Sequence, residues 1–74
     1  MTITTYGVTG MTCAHCVGSV SHEVTRIDGV RGVQIQLVPG GVSLVEVESL
    51  AALDESAVAA AVAEAGYELT GVLA

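Results

Sequence analysis

The chemistry available to this chain is concentrated in one segment, Gly10-Met11-Thr12-Cys13-Ala14-His15-Cys16. It holds both cysteines of the 74 residues. A disulfide between them would close too small a loop to stabilise much, which leaves metal binding or thiol chemistry. The pair lies where a β-branched first strand gives way to helical spacing, so both thiols are expected near the surface at a helix N-terminus. Free peptide N–H groups, the positive end of the helix dipole and a neighbouring thiol all favour the thiolate there. Two soft thiolates without another cysteine or an acid nearby suit Cu(I), which accepts few soft ligands, better than structural zinc, which usually takes four. Cys13 and Cys16 are therefore the expected ligands of one Cu(I). His15 is the nearby imidazole, but a side chain between the two cysteines more readily points outward.

The elements that must position this pair follow from hydrophobic period. Thr2 to Thr9 is rich in β-branched residues and reads as a strand ended by Gly10. Val17, Val20, Val24 and Ile27 recur at spacings of three and four, the stripe of an amphipathic helix that Asp28-Gly29 is expected to stop, with Gly29 as a left-handed cap. Val33, Ile35 and Leu37 alternate with polar or small residues, Pro39-Gly40-Gly41 turns the chain, and Val42 to Glu48 alternates again, which makes a hairpin. Asp54 is the expected N-cap of a second helix with the stripe Val58, Ala61, Val62 and Ala65, closed by Gly66. Tyr67 to Leu73 completes the order βαββαβ. That order predicts an α+β, ferredoxin-like sandwich with a four-stranded antiparallel sheet and two helices on one face.

Length and charge narrow the function. A chain this short supports one core, so residues 1–74 are read as a single domain. Eight acids against Arg26 and Arg31, with no lysine, leave a net charge of −6, which disfavours nucleic acid and anionic membrane surfaces as partners. No apolar run is long enough to insert in a membrane, and the start lacks the basic and apolar regions of a signal peptide, so a cytoplasmic protein is expected. The acids are scattered and read as a solvated face. No serine–histidine–aspartate set or phosphate loop occurs, so the chain is not expected to be an enzyme.

The chain resembles the heavy-metal-associated domain of bacterial copper chaperones and of the amino-terminal modules of copper-transporting P-type ATPases. The likeness runs from about Thr4 to Leu73 and rests on Gly10 to Cys16, on the Val17, Val20 and Val24 stripe, on Asp28-Gly29-Val30 and on Gly66-Tyr67. It implies that Cys13 and Cys16 hold Cu(I) on an exposed loop, that Met11 is the buried anchor of that loop, and that Tyr67 approaches the loop from the far side. It further implies delivery to a copper-transporting P-type ATPase or another copper acceptor. A monomer is expected without copper, with a copper-bridged dimer as an alternative. The start at Met1 and the end straight after the last strand favour a free-standing carrier over a module cut from an ATPase. A thioredoxin-like dithiol oxidoreductase is the rival, but it needs a longer chain, and here no tryptophan precedes the pair and no proline lies within it. His22 lies on the polar side of the first helix and is given no role.

Overall fold

A computed structural model describes residues 2–73 of the chain. The elements run β1 (Thr2–Thr9), α1 (Ala14–Thr25), β2 (Val30–Gln36), β3 (Val42–Ser49), α2 (Glu55–Glu64) and β4 (Glu68–Val72). The strands form one antiparallel sheet in the order β2-β3-β1-β4, the expected ferredoxin-like arrangement. Tyr6, Val8, Val45 and Val47 on the two central strands and Val20, Val24, Val58 and Val62 on the helices are fully buried between the layers. Each such valine removes enough apolar surface from water to contribute about 1.5–3 kcal/mol. The end of β1, the start of α1, the end of α2 and the start of β4 meet at one pole of the sandwich, and the cysteines lie there.

Three details differ from expectation. The helix α1 ends at Thr25 with Arg26 as C-cap, before Gly29. Gly29 instead sits at φ +91° in a separate turn, closed by the Val30 amide on the Ile27 carbonyl at 3.2 Å. The reason is that strand β2 starts at Val30, so the chain must reverse between Ile27 and Val30, and that reversal takes the left-handed residue. Asp54 is the N-cap of α2 by position, but its side chain makes no capping bond; its carbonyl accepts the amides of Ala57 and Val58. The third difference concerns Cys16 and is described with the site.

Candidate metal centre

The loop between β1 and α1 is held from below. Met11 is completely buried in the core, as the resemblance implied, so the chain on either side of it is anchored while the residues after it reach the surface. Cys13 is the N-cap of α1, with extended backbone at φ −153° and ψ 171°, and its carbonyl accepts the amides of Cys16 at 3.1 Å and Val17 at 3.3 Å. Its thiol is exposed and free. Cys16 is the third residue of α1, and only 8% of it is accessible. Its expected place at the surface is thus corrected. Cys16 precedes Val20 by four residues and Val24 by eight, so it belongs to the same buried stripe, whereas Val17, which the spacing had put there, is half-buried. A count of the stripe starting at residue 16 would have found this from sequence.

The two sulfurs lie 3.5 Å apart, and Thr12 Oγ1 lies 4.0 Å from Cys16 Sγ. The Cys16 thiol is acidified for a physical reason. Its pKa is lowered from 9.0 to about 6, first by the peptide group of Thr12, then by the Tyr67 phenol and by the side chain and backbone of Cys13, all against burial, which opposes ionisation. Tyr67 responds in the opposite sense: its interaction with Cys16 and its burial raise its pKa, so the phenol keeps its proton.

Tyr67 is brought to the cysteines by the way α2 ends. Gly66 takes φ +95°, the Tyr67 amide bonds the Val62 carbonyl at 3.1 Å and the Gly66 amide bonds the Ala63 carbonyl at 2.9 Å. This is a Schellman cap, which turns the chain sharply and aims the next residue back across the helix end. The ring then packs on Gly10, where an added Cβ would lie 3.3 Å from Tyr67 Cδ1. Gly10 itself has φ +97°, so a side chain there would be disfavoured twice.

His15 is exposed, and among the described residues no group of three His, Cys, Asp or Glu side chains comes together as a metal cage. The pair is what a soft, low-coordinate ion needs and too little for structural zinc. An ion held in line between the two thiolates would need the sulfurs farther apart than the 3.5 Å observed. The exposed Cys13 is the side chain free to open by that difference.

An antiparallel βαββαβ sandwich with a dithiol at the first helix is the architecture of a small metal-binding domain. The chain belongs to the heavy-metal-associated domain family, whose profile matches residues 5–68. It is 37% identical over 62 residues to the COP-associated protein of Helicobacter felis, spanning 84% of this chain and 89% of that protein. Among solved structures it resembles the CopZ metallochaperone, with a TM-score of 0.80 and 27% identity over 93% of this chain and 100% of that one. It equally resembles the crystal structure of a copper binding domain from HMA7, a P-type ATPase, with a TM-score of 0.81 and 29% identity over 100% and 96% of the two chains. No helix among the described residues is long and apolar enough to cross a membrane.

Proposed function

We propose that this chain is a cytoplasmic copper(I) carrier, a single domain over residues 1–74 that holds one Cu(I) between the thiolates of Cys13 and Cys16. It passes the ion to a thiolate-bearing acceptor such as a copper-transporting P-type ATPase. The observation that supports this most is the sulfur pair, 3.5 Å apart at the N-terminus of α1, with no third His, Cys, Asp or Glu grouped with it among the described residues. Neutralising one positive ion with two thiolates leaves a net negative centre, which the helix N-terminus favours. Resemblance to a metallochaperone and to an ATPase domain supports copper as cargo. The same ATPase likeness favours a second reading, a metal-binding module of a transporter. The length of the native open reading frame separates the two, because a transporter continues into membrane helices.

Release follows from the unequal placement of the sulfurs. An acceptor thiolate approaches on the exposed side, bonds the ion and makes a three-coordinate bridge. Cys13, exposed at the N-cap, leaves first; Cys16, buried and held as thiolate by Thr12 and Tyr67, keeps the ion until a second acceptor thiolate completes the exchange. Anaerobic titration of the reduced protein with Cu(I) against a competing chelator tests the site, with one tight ion per chain and much weaker zinc expected. Equal competition between the metals would overturn it. Native mass spectrometry with a dithiol acceptor domain tests the order: Cys13→Ser should retain a weakened bridged species and Cys16→Ser should lose it. The reverse result would invert the order of exchange.

A further inference from the structure

The pole that exposes Cys13 carries charge of one sign. Register sets Thr9, the last residue of β1, opposite both Val42 and Glu68, so the β2–β3 turn and the start of β4 flank the metal loop. Glu64, the last residue of α2, reaches the same pole, and both acids are exposed. Among the described residues these two are the formally charged side chains there. The arginines lie at the other pole: Arg26 caps the far end of α1, 3.4 Å from Glu23, and Arg31 follows Val30, which pairs with Ser49 beside Thr2. The helix dipoles leave this balance unchanged, because the positive end of α1 and the negative end of α2 share the metal pole and offset each other. The β2–β3 turn adds no charge and presents Val38 and Val42, both exposed. Two thiolates around one Cu(I) carry one further negative charge. An arriving thiolate thus meets a face with three negative charges, and this chain supplies no cation there to offset them.

We propose that the acceptor of this protein is basic around its own thiols, with lysine or arginine side chains that meet Glu64 and Glu68 while an apolar surface covers Val38 and Val42. The proposal rests on the copper(I) carrier function assigned to Cys13 and Cys16. Charges brought to contact across this face lie well inside the screening length of about 8 Å at physiological salt. Complementary charge acts chiefly on encounter and on the choice between partners, so the acceptor's cations both admit its thiolate and exclude acidic dithiol proteins. The test uses two synthetic peptides that share one C-x-x-C loop, one flanked by lysines and the other by glutamates. The copper-loaded protein should pass Cu(I) to the lysine peptide roughly tenfold faster than to the glutamate peptide at low salt, the lower end of what steering delivers. High salt should close the gap. Lysines also acidify the peptide's own thiols, so the ratio of the two rates is compared between protein variants. Glu64→Lys combined with Glu68→Lys should lose most of the preference. Asp28→Lys combined with Glu48→Lys makes the same change in net charge at the other pole and should keep it. A protein that favours the glutamate peptide or neither, a preference unchanged by the substitutions at Glu64 and Glu68, or one lost equally with those at Asp28 and Glu48 would each overturn the proposal. Chelator competition on the unsubstituted protein reads the copper site separately, and failure there to hold one Cu(I) per chain would remove the carrier function itself.

Discussion

The N-termini of the two helices lie at opposite poles of the sandwich and solve the same electrostatic problem in opposite ways. Each starts from an extended N-cap whose side chain makes no capping bond, Cys13 in α1 and Asp54 in α2. The α2 end supplies its own negative charge, with Asp54 at the cap and Glu55 in the first turn. The first turn of α1 contains no acid at all. An N-terminus attracts anions through its free amides and aligned dipoles, so an end left without carboxylates is open to thiolate. The site is defined by an omission as much as by its cysteines.

The difference can be broken most completely at Cys16. Cys16→Ser should abolish tight Cu(I) binding in a chelator competition assay, and retention of parental affinity would show that α1 does not hold the ion. A smaller, more diagnostic effect is expected from Ala14→Glu, which gives α1 the first-turn acid that α2 already has. Thermal unfolding should report a gain of about 0.3–1 kcal/mol for the helix. Cu(I) affinity should fall by roughly tenfold, because a like charge beside the sulfurs disfavours the thiolates. Affinity unchanged by this acid would separate the helix end from the site.

The pH response sharpens the same contrast. Alkylation of Cys16 in the metal-free protein should be half-maximal near pH 6, well below the ordinary thiol value of 9.0. Because the folded pKa is the lower one, ionisation stabilises the fold fully above the unfolded value and loses that effect as pH falls through about 6. Stability of the metal-free protein should therefore contain a component that rises between these values. Tyr67→Phe removes the second-largest cause of the shift, so the alkylation midpoint should move up while the fold persists and copper retention changes only modestly. A midpoint already near 9 in the parent would contradict this account. The smallest effect belongs to the other pole. Asp54→Ala should cost less than the ordinary cap value of about 1 kcal/mol, since no capping bond is lost, and chelator competition should find copper affinity unaltered. A larger loss would mean that Asp54 acts on the α2 dipole after all.

Much of this was legible without coordinates, because it depends on residues close in the chain. The β-branched content of Thr2–Thr9, alternation on either side of Pro39-Gly40-Gly41, and the three-and-four spacing of Val17, Val20 and Val24 and of Val58, Ala61 and Val62 specify strands and helices locally. The C-x-x-C pair at a strand-to-helix junction announces soft-metal or thiol chemistry for the same local reason. Other features depended on what the fold brings alongside. Ser43 and Ser49 are buried on β3 although they are polar, because Ser43 Oγ accepts the Val38 amide at 2.9 Å and Ser49 Oγ donates to the Ala51 carbonyl at 2.7 Å. No pattern of hydrophobicity signals a buried serine whose partner is a backbone group.

The order of elements, the position of the thiol pair at a helix start and the acid-free first turn that leaves that helix end open are all set by neighbours in the chain. Packing of the whole chain was needed to bury Cys16 while leaving Cys13 exposed, and to carry Tyr67 across the pole by the cap of α2 to Cys16, where it shares in lowering the thiol's pKa. The two sets differ in range. Period, dipole and the Thr12 peptide group, the largest cause of the Cys16 shift, act within a few residues, whereas the burial of Cys16 and the contribution of Tyr67 depend on groups distant in the chain.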